Sequence, residues 1–340
     1  MLFTVGSSWR MERELETLQR PYREVGVDEG RVISILREVM DTSLSPLPSN
    51  FFCQLVPLPS SLSSRSSYLA LSTDGVGTKL WLALQTGYFR HLGQDLVAMV
   101  YNDLITCGAQ PLGFLDYYAA GVLEEGVYRG ILSSIQEACL EVQMPLLGGE
   151  TAQMPGFYPR GRLDLAGFGV GVVGEEELLG PHRVRKGDIL VGFSSSGFHC
   201  NGFSLLRRYL SEGELYRSYT FGGRTRPLYR FLLEPAYLYR WVLEGREFLR
   251  PLALAHITGG GIYGNVVRVL PSSLQMRLDE EVIWSRSEAE IFLWFGRLAG
   301  LTRRQMLAIF NCGVGMVAVL REPREEDIAR LGGFVLGEVI

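Results

Sequence analysis

Glycine works as punctuation in this chain, and its placement limits the folds open to the sequence. Forty of the 340 residues are glycine, well above the usual ~7%. They gather directly behind short apolar runs: Asp74-Gly75-Val76-Gly77-Thr78-Lys79, Gly148-Gly149-Glu150-Thr151-Ala152, Ser195-Ser196-Gly197-Phe198-His199-Cys200-Asn201-Gly202 and Thr258-Gly259-Gly260-Gly261. A strand that ends in glycines lets backbone N–H groups approach a polyanion closely. Strands closed by such turns and alternating with helices describe an α/β (α+β) protein.

Periodicity fills in the elements between the turns. Helices are expected at Arg10–Arg20, Val27–Met40, Leu92–Gly108, Val127–Val142, Gly202–Leu210, Tyr229–Leu249 and Thr302–Ala308. Strands are expected at Tyr68–Ser72, Leu112–Tyr118, Leu165–Val173, Ile189–Phe193, Ala253–Ile257 and Gly313–Leu320, with a last helix and strand in Glu325–Ile340. Asp41–Ser67 is a Ser/Pro-rich loop broken by the apolar piece Phe51–Val56. A charged segment, Gly174–Asp188, divides the chain into an N-terminal extension 1–20, a first domain 21–174 and a second domain 175–340. That length suffices for two cores.

Charge excludes several function classes. The formal net charge is −4, against a general nucleic-acid or anionic-membrane binder, which needs a basic surface. No run approaches the ~20 apolar residues of a membrane span, and Met1–Arg20 lacks the pattern of a signal peptide. Five scattered cysteines, never spaced CxxC, suggest reduced thiols in the cytoplasm. Only Lys79 and Lys186 are lysines among the 33 basic residues.

Each motif has a chemical and a purely architectural reading. A carboxylate and a lysine flanking Gly75 and Gly77 suit a Mg²⁺–phosphate turn, although a tight turn with a solvated lysine has the same sequence. Asp103, beside Asn102 on a mostly apolar helix, is either a cation ligand or an ordinary exposed acid. The Gly148–Ala152 cluster reads as a ligand-facing turn or a structural one. The Ser195–Gly202 and Thr258–Gly261 turns, with His199, Asn201 and His256, offer donors to phosphate or carboxylate. Adjacent His199 and Cys200 point apart, so no nucleophile–base pair is indicated.

Together these motifs resemble phosphoribosylformylglycinamidine cyclo-ligases, also called aminoimidazole ribonucleotide synthetases. The likeness runs from about Tyr22 to Ile340 through TDGVGTK at Thr73–Lys79, DLVAMVYNDLITCGAQPLGFLDYYAAG at Asp95–Gly121 and GGETAQMPGFY at Gly148–Tyr158. It continues through SSGFHCNGFSL at Ser195–Leu205, HITGGG at His256–Gly261 and FNCGVGM at Phe310–Met316. The resemblance implies a two-domain fold, with N-terminal strands forming a barrel across a homodimer and a C-terminal α/β domain. It implies ATP-dependent cyclisation of formylglycinamidine ribonucleotide in purine biosynthesis, with ATP and Mg²⁺ as cofactors. Asp74 and Asp103 would hold the metal, and Gly75, Val76, Gly77, Thr78 and Lys79 would face the ATP phosphates. Asn102 and Glu150 would sit beside them, while His199, Asn201, Gly259, Gly260 and Gly261 would meet substrate or nucleotide from the second domain. Asp74, Lys79, Asp103 and His199 would carry the catalysis.

The chain departs from the family at one informative place. A glycine-rich loop similar to GGFGA is replaced by Ser49-Asn50-Phe51-Phe52-Cys53-Gln54, and no glycine lies between Gly30 and Gly75. Smaller departures are Gln153, Phe198, Ala236-Tyr237 and Gly264. Two readings follow: an active enzyme in which Ser49, Asn50 and nearby N–H groups replace the loop, or a relative that binds nucleotide or a partner without turnover.

Overall fold

The computed structural model describes residues 51–59, 61 and 66–340. The expected helices Arg10–Arg20 and Val27–Met40, together with Ser49 and Asn50, lie outside these residues.

Two five-stranded sheets organise the described chain. The first is built from β1 (Gln54–Pro57), β2 (Ser67–Gly75), β3 (Gln110–Ala120), β4 (Leu146–Gln153) and β5 (Leu163–Gly174), in the order β1-β2-β5-β3-β4. Its pairs are antiparallel except β3 with β4. That parallel pair is joined by the crossover helix α3 (Glu125–Glu141), since parallel neighbours cannot be linked by a tight turn. Helices α1 (Lys79–Thr86) and α2 (Leu92–Thr106) precede β3.

The glycines of β5 explain how α2 reaches the sheet. Alternation puts Gly167 and Gly169 on the helix side. A Cβ on Gly167 would lie 2.5 Å from the Phe114 ring, and one on Gly169 would lie 2.5 Å from Val100. Missing side chains here let Leu96, Val100 and Leu104 press against the strand. The other face carries Leu71, Leu115, Tyr117, Phe168 and Val170, brought together by register, and no element of the described chain covers it.

The second sheet has the order β10-β12-β6-β11-β9 and is antiparallel throughout. Its strands are β6 (Ile189–Ser194), β9 (Ala253–His256), β10 (Met276–Leu278), β11 (Val314–Leu320) and β12 (Gly333–Val339). Every residue of β11 is buried, as its unbroken apolar run requires. Between β6 and β9 come α4 (Phe203–Tyr209), α5 (Glu212–Tyr216), a hairpin β7 (Ser218–Phe221) and β8 (Arg224–Pro227), and α6 (Leu228–Leu232), α7 (Trp241–Glu244) and α8 (Arg246–Leu249). Helices α9 (Gly261–Val266), α10 (Glu280–Trp284), α11 (Glu290–Ala299), α12 (Arg303–Ile309) and α13 (Glu325–Arg330) complete the unit. Among the described residues no helix is long and apolar enough to cross a membrane.

Two expectations need correction. Tyr229–Leu249 is not one helix: Leu233–Arg240 is an irregular strap between α6 and α7. Pro235 lacks the N–H that a continuous helix would use there, and the strap's backbone is satisfied from outside. Gly148–Ala152 is likewise no turn; it lies within β4. Among the described residues the first sheet is open, and the barrel expected across a homodimer would take a second chain to close.

Candidate active site at the seam between the two sheets

Helix α2 carries the polar stripe on which the site is built. Asp95, Asn102 and Asp103 stand seven and eight residues apart, hence on one face of a helix that is otherwise almost wholly buried. That face meets the second unit along the strap. The Ala236 amide donates to Asp95 Oδ1 at 2.8 Å, and Gln94 Nε2 donates to the Ala236 carbonyl at 2.9 Å. Asn102 Nδ2 donates to the Tyr237 carbonyl at 2.8 Å, while Asn102 Oδ1 accepts from the Tyr239 amide at 3.1 Å. Side chains of one unit thereby replace the bonds a helix would have given the strap.

Lys79 closes the same joint. Its ammonium lies within 2.8 Å of both Asp95 carboxylate oxygens and donates to the Glu234 carbonyl at 2.9 Å. The pair is fully buried. Burial pushes the Asp95 carboxyl up, and the Lys79 charge and the Ala236 amide act against that rise. Thus the lysine of the expected phosphate turn points inward, with its charge already matched.

The acids beyond it are in a different state. Asp74 is the penultimate residue of β2 and accepts from the Gly75 amide at 2.7 Å. Its carboxyl is pushed up to about 6, chiefly by burial, with the charge of Asp103 adding to the rise and Gly75 N–H and His256 opposing it. Asp103 in turn bonds His256 Nδ1 at 2.8 Å. The Asn102 amide is oriented by its two backbone partners, so its Nδ2 faces His256 Nε2, a long contact of 3.5 Å. An NH₂ group next to Nε2 places the imidazole proton on Nδ1, toward Asp103. Between Asp74 and α1, Gly77 adopts φ 62° with open space about it, and Val76 is buried.

Two turns of the second unit complete the seam. Asn311 ties the Ser195–Gly197 turn by accepting from Ser195 Oγ at 3.0 Å and donating to the Gly197 carbonyl at 2.8 Å. Asn265 fixes the Gly259–Gly261 turn by donating to the Gly259 and Gly261 carbonyls at 3.1 and 2.8 Å. The Asn201 side chain lies beside Gly259, 3.7 Å from where a Cβ would stand. Its Nδ2 is buried without a hydrogen-bond partner among the described residues, as is His199 Nδ1. Buried donors left unpaired are costly, and two of them in one turn fit a ligand that brings acceptors.

A family model described as AIR synthase related protein, N-terminal domain, matches residues 60–173, and its C-terminal counterpart matches residues 185–340. The chain is 43% identical over 277 residues to a phosphoribosylformylglycinamidine cyclo-ligase of Parasynechococcus marenigrum, covering 81% of this chain and 79% of that protein. It is 44% identical over 264 residues to the same-named protein of Myxococcus xanthus, covering 77% and 75%. The chain belongs to the phosphoribosylformylglycinamidine cyclo-ligase family. Among solved structures, hydrogenase maturation protein HypE in complex with ATP matches with a TM-score of 0.58 at 20% identity, covering 94% of this chain and 88% of that one. Thiamine-monophosphate kinase from Stenotrophomonas maltophilia matches with 0.60 at 16% identity, covering 83% and 88%. At such identity these two establish the shared fold.

In this cyclo-ligase family member the seam gathers Asp74, Asp103, Asn102 and Lys79 from the first unit with His256 and the strap from the second. The Ser195–Gly202 turn joins them, its His199 feeling the charges of His256 and Lys79. Glu150 is placed elsewhere. It pairs in register with Tyr117, on the uncovered face of the first sheet, whereas Asp74 lies in register with Gly167 on the α2 side. Sequence reasoning named neither Asp95 nor Asn265 nor Asn311 as functional. Asp95 stands seven residues before Asn102 and was legible as part of a polar stripe; the two asparagines gave no local signal. The segment that replaces the family's glycine loop packs against the second unit: Arg268 lies 4.0 Å over the Phe52 ring and donates to the Phe51 carbonyl at 3.1 Å. Cys53 and Cys107, both buried free thiols, bring their Sγ atoms to 3.5 Å.

Proposed function

We propose that this chain closes the imidazole ring of aminoimidazole ribonucleotide from formylglycinamidine ribonucleotide, consuming ATP and releasing ADP and phosphate. The observation that carries the reading is the seam itself, where two carboxylates of uncompensated charge meet a glycine turn and unpaired donors from the other unit. In this chemistry the formyl amide oxygen attacks the γ-phosphorus and ADP leaves. The amidine nitrogen then attacks the activated carbon, and the former amide oxygen departs with phosphate as the ring aromatises. No nucleophilic side chain is needed; positioning and charge neutralisation suffice.

The donor set fits Mg²⁺. Asp74 and Asp103 are hard oxygen donors that repel one another, and Mg²⁺ characteristically takes one or two carboxylates with phosphate and water in its other positions. Such a metal would reach the two acids on the phosphates of ATP. When bound it supplies charge neutralisation at those phosphates. The amides of Val76, Gly77 and Thr78 are assigned to the phosphates, with Asn102 beside them, while the Gly75 amide holds Asp74 and its missing side chain keeps the turn open to them. Lys79 serves the site from within its ion pair, holding the strap that brings His199, Asn201 and Gly259–Gly261 to the substrate.

The apolar face of the first sheet supports a homodimer of chains built from domains 21–174 and 175–340, with the barrel formed between two such faces and Glu150 at that junction, and the free cysteines support a cytoplasmic setting. The cyclo-ligase relatives at 43–44% identity favour turnover over a nucleotide-binding relative without activity. The test is purified protein with formylglycinamidine ribonucleotide and Mg·ATP. Equimolar ADP and aminoimidazole ribonucleotide are expected. Neither product at high enzyme concentration would leave the non-catalytic reading, which calorimetry with Mg·ATP then separates into nucleotide binding and none.

A further inference from the structure

His199 has a defined tautomer, and the backbone around it sets that tautomer. The residue sits in the turn between β6 and α4 at φ 54°, its side chain buried. The Ser196 amide lies 3.3 Å from His199 Nε2. A backbone N–H only donates, so Nε2 presents a lone pair, and the single proton of the neutral ring is on Nδ1. That Nδ1–H is the buried group with no partner among the described residues.

The surroundings hold the ring in place without using its proton. Tyr239 and Tyr237 flank it, with centroids 6.4 and 6.2 Å away. The Tyr239 hydroxyl is occupied, donating to the Ser194 carbonyl at 2.9 Å. A Cβ on Gly315 would come within 2.7 Å of His199 Cε1 and 1.9 Å of Tyr239 Oη, so ring and hydroxyl share the room that a glycine leaves. Of the charged neighbours, Lys79 is matched by Asp95, and His256 is bonded to Asp103. Burial, with His256 and Lys79 adding to it, holds His199 well below the usual imidazole range. The ring therefore stays neutral at physiological pH.

We infer that His199 serves the ring closure as a fixed donor, its Nδ1–H bonding an acceptor oxygen of the bound ribonucleotide, and that it transfers no proton itself. Ser196 and Gly315 are its positioning residues. The unpaired Nδ2 of Asn201, two residues on in the same turn, is a second donor for the same ligand. The inference rests on the proposed cyclo-ligase reading, because that reading supplies the ligand. Neutral donors in a dry site stabilise developing charge on oxygen without giving up a proton.

Imidazole ¹⁵N NMR of the intact protein tests it, with the His199 signals assigned by their loss in His199→Asn. From pH 6 to 9 His199 should show a protonated Nδ1 and a bare Nε2, and Nδ1 should shift when formylglycinamidine ribonucleotide is added without ATP. His199→Asn keeps an N–H near Nδ1 and accepts a positive φ, so its kcat should stay within about tenfold, with an unchanged pH profile. His199→Phe should lose about 10²–10³-fold in kcat, and Gly315→Ala should approach that loss. A His199 that titrates in this range, or a limb of the kcat/KM profile that disappears in His199→Asn, overturns the inference. So does an Nδ1 signal indifferent to the ribonucleotide; where His199→Asn fails to fold, the His199 signals are assigned by elimination, through the losses in His91→Asn, His182→Asn and His256→Asn, and the wild-type spectrum decides. No turnover with the Nδ1 shift intact sinks the cyclo-ligase reading and leaves the donor site standing. Turnover with a titrating His199 sinks only the inference.

Discussion

Asp95 and Asp103 stand on the same helix, about two turns apart, yet they have opposite fates. Asp95 is sealed in the interior, with both oxygens against the Lys79 ammonium and the strap's amide on top. Asp103 faces Asp74, a second acid, and shares only a histidine. One end of the stripe is a joint whose charges cancel; the other is a place where charge is left over. The lesson is that a motif's charged residues divide between holding a site together and being the site, and burial with a counter-charge tells the two apart.

Replacing Lys79 tests the joint most severely. Lys79→Met strands a buried carboxylate and should cost about 3–5 kcal/mol of stability, read as a large fall in Tm; removing Asp95 as well, in Lys79→Met/Asp95→Leu, should restore part of it. A melting temperature unmoved by the single change would erase the distinction between the two acids. Asp74→Asn is the mirror experiment. Turnover should fall by about 10²–10³-fold, while Tm holds or rises because a repelling, half-buried charge is gone.

Acidity sharpens the same contrast. The Asp74 carboxyl is raised to about 6, so the folded chain holds this proton more tightly than the unfolded one. Its contribution to stability is therefore present in full below the ordinary carboxylate range near pH 4 and is lost as pH rises through about 6. The Tm advantage of Asp74→Asn should be widest near pH 7.5 and shrink toward pH 5; a constant gap would show that Asp74 is not perturbed. Mg·ATP at pH 7.5 should raise the wild-type Tm by more than it raises that of Asp74→Asn. The smallest effect belongs to the exposed pair Arg129–Glu125 at 2.7 Å, with side chains 75% and 80% exposed. Arg129→Ala should cost about 0.5 kcal/mol or less and vanish at high salt.

Much of this architecture is legible in the sequence because periodicity and burial act locally. Leu92–Gly108 was expected as a helix and is one from Leu92 to Thr106; the Gly-studded strand at Leu165–Val173 spans Leu163–Gly174. The strap was not legible, since its conformation is decided by Asp95, Gln94 and Asn102, more than 130 positions upstream. Gly148–Ala152 was misread because paired glycines signal a turn, whereas parallel pairing with β3 recruits them into a strand. For the candidate site, motif spacing picked out stretches that the fold brings to one seam, but the orientation of Lys79 and the face on which Glu150 lies depend on packing between units, which no local pattern encodes.

The joint grips peptide groups. Asp95, Gln94 and Asn102 bind the carbonyls and amides of Ala236, Tyr237 and Tyr239, which every amino acid except proline offers alike. The consequence is tolerance: changing the side chains at Ala236 or Tyr237 leaves these backbone bonds in place, whereas losing Asp95, Gln94 or Asn102 removes them. The lip of the seam can thus be rewritten without loosening the joint beneath it.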